Sequence, residues 1–134
     1  MTIDNVRECL ERYRSTVELI ERKAELKEVV YAAATGGAGG GADGDIVGTS
    51  VVVMDSLDTQ IEKLKRTADK QRHEIVQMCQ CIPDALTKQV MLMTYILGHD
   101  RAYIADELRI SKQSVTYRRR SGLETIARSK GHMN

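Results

Sequence analysis

The sequence predicts an all-α protein: a long antiparallel hairpin of heptad helices over residues 1–82, followed by a three-helix module over 83–134. Three observations predict it. Two stretches keep apolar residues at alternating steps of three and four, which is the spacing of one helix face. A glycine-dense segment lies between them, ending one helix and leaving enough chain to turn. The apolar side chains are Val, Ile, Leu, Ala and Met, with no Phe or Trp and a single proline, Pro83. That composition suits uninterrupted helices packed on one another.

The first seam runs Ile3, Val6, Leu10, Tyr13, Val17, Ile20, Ala24, Lys27 and Tyr31, with Lys27 its only charged member. The second runs Met54, Leu57, Ile61, Leu64, Ala68, Gln71, Ile75, Met78 and Ile82, with Gln71 its only polar member. Each seam spans about four heptads, or roughly 45 Å of helix at 1.5 Å per residue. Polar seam members fix register at some loss of stability. Leu19, Leu26, Val29, Val30 and Val76 lie off these stripes, and they are the surface through which a second copy is expected to pair. The seam itself can close within one chain or between two.

Seven of the ten glycines fall between Thr35 and Gly48, so the first helix is expected to end near Ala34 and residues 35–48 to form a loop. Asp55 or Ser56 is the expected cap of the second helix. The glycine run is not a phosphate loop, because no Gly-Lys-Ser/Thr follows it. Asp43-Gly-Asp45 begins like a calcium loop, but Met54 stands where the chelating glutamate belongs.

Pro83–Asp84 is expected to end the second helix, and residues 86–97 to form a third with Val90, Met93 and Leu97 on one face and Gly98 as its stop. Ile104, Ala105 and Leu108 then mark a fourth helix. Arg109–Ile110–Ser111 makes a short turn, and Val115 is the apolar contact of a fifth helix capped by Ser111. Two helices joined this way read as a helix-turn-helix, whose second helix enters a major groove. Lys112, Gln113, Thr116 and Tyr117 follow the cap and are expected to face bases, with Ser111 and Ser114 beside them. Arg101, Arg118, Arg119 and Arg120 are expected to supply phosphate contacts.

Charge supports that placement. The chain has 20 basic and 19 acidic residues, yet residues 101–134 hold eight bases against three acids, a net of +5. Residues 1–100 hold 12 against 16, a net of −4. A basic end on an acidic body meets phosphate locally without coating the whole molecule in nucleic acid. The expected partner is double-stranded DNA, and no membrane is expected, because no run of about eighteen apolar residues exists. The first residues are charged from Asp4 and do not read as a signal peptide. Three cysteines without C-x-x-C spacing suit reduced thiols in a cytoplasm. Cys79, Cys81 and His73 lack the geometry and the fourth ligand of a zinc site. His99 reads as a turn residue, and no nucleophile–base set emerges, so neither cofactor nor catalysis is expected.

The residues Ile82-Pro83-Asp84, Tyr95-Ile96-x-Gly98, Ile104-Ala105-x-x-Leu108-x-Ile110-Ser111 and Val115 resemble region 4 of sigma factors. The resemblance is closest to the sigma-70 region-4-like phage regulators of the ArpU and RinA type, and it covers about residues 82–127. It implies a transcriptional regulator of late genes in a prophage or mobile element, and the heptad helices add the expectation of a homodimer or higher homo-oligomer. Two positions depart from the pattern. Arg109 stands where a glycine often makes the turn. Arg118 takes a place usually apolar, so Gly122, Leu123 and Ile126, or the stem of Arg118, must complete the inward face. Two other functions fit the same features: a small terminase subunit that recognises packaging DNA, and an adaptor that binds RNA polymerase.

Overall fold

The computed structural model describes residues 1–35 and 44–132. They form five helices: α1 (Ile3–Thr35), α2 (Gly44–Cys79), α3 (Ala85–Tyr95), α4 (Arg101–Leu108) and α5 (Lys112–His132). Among the described residues there is no strand. The glycine run from Gly36 to Gly41 lies outside the described residues, whereas all but the first position of the rejected calcium loop falls within α2. The start of α2 differs from expectation. The helix begins at Gly44, so Asp55 and Ser56 are interior residues rather than caps. The Val51–Val52–Val53 run is helical, since β-branching lowers helix propensity by only a few tenths of a kcal/mol per residue.

Local chemistry sets the other ends. Thr2 caps α1, its hydroxyl accepting from Asn5 N–H at 3.1 Å. Asp84 was expected to end α2, but that helix stops at Cys79 and Asp84 instead caps α3, accepting from Thr87 N–H at 3.1 Å. Asp100 caps α4 by accepting from Tyr103 N–H at 2.8 Å. Past α3, Gly98 adopts φ 71°. A Cβ there would come within 2.6 Å of the Arg14 guanidinium, which donates to the Ile96 carbonyl at 3.3 Å. A cation against the last carbonyls of α3 complements the negative end of the helix.

The chain divides into two compact units, one of residues 1–15 with 69–134 and one of residues 16–68. In the first, Val6 and Leu10 of α1, Ile75 and Cys79 of α2, Ile82 in the turn that follows, Met91 and Tyr95 of α3, and Leu123 and Ile126 of α5 share one core. Leu10, Ile75, Ile82, Met91 and Ile126 are fully buried, each contributing roughly 1.5–3 kcal/mol by burial. A second, smaller cluster joins Val90 to Ile104, Ala105 and Val115, with Met93, Leu108 and Ile110 packed against it. It fixes α4 to α3 and α5.

Among the described residues of the unit 16–68, Leu57, Ile61 and Ala68 are the buried apolar ones. Lys23 Nζ donates to Gln60 Oε1 at 2.6 Å, and Lys27 pairs with Asp58. The Lys27–Asp58 pair explains how the seam admits a charge. No helix among the described residues is long and apolar enough to cross a membrane.

Candidate nucleic-acid interface

Helix α4, the turn after it and the first half of α5 are built around the smaller core. Ile104 and Val115 are fully buried and Ala105 nearly so, and the small Ala105 lets α4 and α5 approach closely. The turn is closed by backbone hydrogen bonds. Arg109 N–H donates to Asp106 carbonyl at 3.3 Å, and Ile110 N–H to Ala105 carbonyl at 3.0 Å. This is the paired bonding of a Schellman ending, with Ile110 packing back on the Ile104–Ala105 cluster. It requires a left-handed residue, and Arg109 takes that role at φ 56°, ψ 45°. A non-glycine residue there is strained by about 1 kcal/mol.

Ser111 starts α5 as expected, its hydroxyl accepting from Ser114 N–H at 3.0 Å. Lys112, Gln113, Thr116, Tyr117 and Arg120 are all exposed, and their spacing (i, i+1, i+4, i+5, i+8) is that of one helix face. Tyr117 is 72% exposed. Arg101, the first residue of α4, joins this face by donating to Thr116 Oγ1 at 3.3 Å. Arg120 bonds Glu124 one turn on at 3.1 Å, an exposed pair of little net energy that a phosphate can displace.

Arg118 and Arg119, expected to contact phosphates, point elsewhere. Arg118 donates to Asp84 Oδ2 and, at 3.1 Å, to Thr87 Oγ1 at the start of α3. Arg119 Nε donates to Thr94 Oγ1 at 2.9 Å. The cause is their position on α5: they share its inward side with Val115, Gly122 and Ile126. Arg118 lies where an apolar residue was expected, and it completes that side with a partly buried stem and a polar tip. Its Nε is buried with no hydrogen-bond partner. Gly122 makes the close approach possible, because a Cβ there would meet the fully buried Met91 side chain at 2.7 Å.

The electrostatics follow from these contacts. The Thr87 hydroxyl and backbone N–H, with Arg118 adding, hold the Asp84 carboxyl below the usual carboxylate range. Burial lowers the Arg119 pKa from its ordinary value, with Arg101 nearby acting in the same direction. Burial raises that of the Tyr95 hydroxyl. Cys79 is pushed up to about 11 by burial, with the neighbouring Cys81 adding, so it is an unreactive core thiol. Among the described residues no group of three His, Cys, Asp or Glu side chains is placed to hold a metal.

The sequence reading missed the Asp84–Thr87–Arg118 link. Its one visible signal is an aspartate directly after Pro83 with a threonine three residues on, a capping pattern that also marks the start of a helix. In comparisons with protein families, curated proteins and solved structures, nothing matches the chain.

Proposed function

We propose that this protein is a sequence-specific DNA-binding transcriptional regulator that uses α4, the turn at residues 109–111 and α5 as a helix-turn-helix. The observation that carries the proposal is the outward face of α5. Lys112, Gln113, Thr116 and Tyr117 are exposed directly after a capped helix start, in the most basic third of the chain. Donor-rich side chains on the first turns of a recognition helix are what base edges and phosphates require. Gln113 suits bidentate contact with adenine, Lys112 suits guanine or phosphate, and Arg101 and Arg120 flank the face as phosphate contacts. The Arg118–Asp84 link serves to orient α5 on α3 rather than to touch DNA.

On this reading residues 83–134 carry the DNA-binding module, and residues 1–82 form a hairpin that buttresses it and brings copies together. Supporting the hairpin, the partners of Lys23 and Lys27 step backward from Gln60 to Asp58, so α1 and α2 run in opposite directions there. The resemblance to sigma-70 region-4-like phage regulators extends the proposal to activation of late genes in a prophage or mobile element.

The test is selection from a randomised duplex pool. The protein should enrich one sequence, and Gln113→Ala should relax the preference at one or two base pairs, by roughly 1–3 kcal/mol. Failure to enrich any sequence would remove the specific-regulator reading. An unchanged preference in Gln113→Ala would move the reading face away from this residue.

A further inference from the structure

Arg101 and Arg119 are held by hydroxyls rather than by carboxylates. Arg119 Nε donates to Thr94 Oγ1 at 2.9 Å, and Arg101 donates to Thr116 Oγ1 at 3.3 Å. Each hydroxyl spends its own hydrogen on the carbonyl four residues back, Thr94 on Val90 at 2.7 Å and Thr116 on Lys112 at 3.2 Å. A neutral hydroxyl orients a guanidinium without cancelling its charge. Arg118 shows the contrast, because the Asp84 carboxylate pairs with it. Among the described residues, neither Arg101 nor Arg119 has a carboxylate within ion-pair distance. The two cations also stand near each other. Burial lowers the Arg119 pKa most; Tyr95 and Asp100 oppose that, and Arg101 adds to it. Burial raises the Tyr95 hydroxyl pKa, so this residue is neutral at neutral pH. The charges that act on Arg119 there are Arg101 and, more weakly, Asp100. A half-buried cation with a like charge beside it is relieved by an anion.

Arg119 lines a cleft of about 660 Å³ between α1, α3 and α5, within one compact unit. Although its Nε turns inward to Thr94, its two terminal amino groups bond nothing among the described residues, and they carry most of the donors of a guanidinium. Arg7 of α1 and Arg120 of α5 stand at the walls. Each is in an exposed pair, with Asp4 at 3.2 Å and Glu124 at 3.1 Å. Such pairs contribute little and exchange readily for another anion. Glu11 also lines the cleft, and among the described residues it forms no ion pair with these arginines. A fork of unspent donors on a fixed guanidinium fits the oxygens of a phosphate. The position of the cleft indicates where that phosphate comes from. Thr116 and Arg120 belong both to its lining and to the exposed face of α5, so a duplex lying on that face brings its backbone beside the cleft. We propose that this cleft binds a phosphate group of the DNA backbone, with Arg119 as the central ligand and Arg7 and Arg120 at its sides. The source of the phosphate rests on the proposed function, whereas the site itself does not. The site would also bring α1 into the DNA interface.

Two titrations of the full chain test the proposal. The first uses inorganic phosphate as the probe, against chloride at equal ionic strength. Phosphate stabilises proteins in general by exclusion from their surface, so the reading is the difference between parent and variant. The melting temperature of the parent should rise more than that of Arg119→Gln, whose amide keeps a donor for Thr94 but carries no charge. Arg7→Gln, a change at an exposed residue, should fall between them. The second titration is duplex affinity across salt. Arg119→Gln should flatten the log-log slope by about 0.9, weaken every duplex about tenfold and leave the preferred sequence as it was. Loss of slope, with or without loss of the phosphate response, supports a backbone phosphate. Loss of the phosphate response with the slope kept supports the site but assigns it to a free phosphorylated molecule. If Arg119→Gln and Arg7→Gln match the parent in both titrations, the proposal is overturned and Arg119 is a structural residue. A parent that binds no duplex refutes the regulator reading, and the inorganic phosphate response then decides this site by itself.

Discussion

The same two seams meet different fates in the two compact units. Where α3 and α5 lie against α1 and α2, seam residues are removed from water: Val6 and Leu10 are at 0% exposure and Ile75 at 1%. In residues 16–68 the seam continues without a break, yet Ala24 and Tyr31 are exposed and Ile20 only half-buried. Periodicity chooses the face that turns inward. How dry that face becomes depends on whether a further layer of helices covers it, which a pattern of threes and fours does not encode. Two helices alone shield one stripe each, and the remainder awaits another surface.

The sharpest way to break this comparison is to make one substitution in both units. Leu10→Ala should destabilise the chain by about 2–5 kcal/mol, through lost burial and a cavity among fully packed neighbours. Leu26→Ala should act only through self-association, so any loss should shrink as the protein is diluted. Equal, concentration-independent losses in urea titrations would mean that the two units are packed alike.

A smaller effect tests how tightly the covered unit is packed. Replacing a helix-interior glycine with alanine ordinarily gains about 1 kcal/mol. Gly122→Ala should lose stability instead, by about 1–2 kcal/mol, because the new methyl meets Met91 in a space that is already full. A rise in melting temperature would show that α5 stands farther from α3 than described. Arg109→Gly should gain about 1 kcal/mol by relieving the left-handed residue of the turn, detectable as a raised denaturation midpoint with no change in its slope.

The smallest expected effect belongs to Asp84. Its carboxyl pKa is lowered in the folded state, so its ionised contacts contribute stability above the ordinary carboxylate value of about 3.9. That contribution disappears as pH falls through the lower folded value. Asp84→Asn should therefore melt below the parent at pH 7, and the gap should close in acid. A gap that persists at low pH would assign the loss to the shape of the side chain rather than to the ionised carboxylate that Thr87 and Arg118 bond.

Much of the fold was legible. The spacing marked Leu57, Ile61 and Ala68 as buried, Ser111 as a cap, Gly98 as a stop, and Ile104, Ala105 and Val115 as contacts between helices. The start of α2 was not legible, because glycines that disfavour helix on average leave Gly44 helical, and Asp55 and Ser56 have the chemistry of caps without being at an end. For the candidate interface, sequence could separate Lys112, Gln113, Thr116 and Tyr117 from Val115. It marked Arg118 as standing at an inward place, but not that Arg119 turns inward with it. Both orientations depend on Asp84, Thr87 and Thr94, each 25 or more positions from the arginine it bonds, which only the folded chain brings near.

The measurement that tests the central claim most directly is duplex affinity across salt, with one double and one single substitution compared. Each neutralised phosphate adds about −0.9 to the slope of log affinity against log salt, so three or four contacts per protomer predict a slope near −3. Arg101→Ala with Lys112→Ala, both on the exposed face, should flatten that slope by about 2. Arg118→Ala should lower the melting temperature and leave the slope of the folded protein nearly unchanged. No binding to any duplex at about 50 mM salt, where phosphate contacts are strong, would contradict the DNA-binding function, and a slope that falls only with Arg118→Ala would contradict the assigned face.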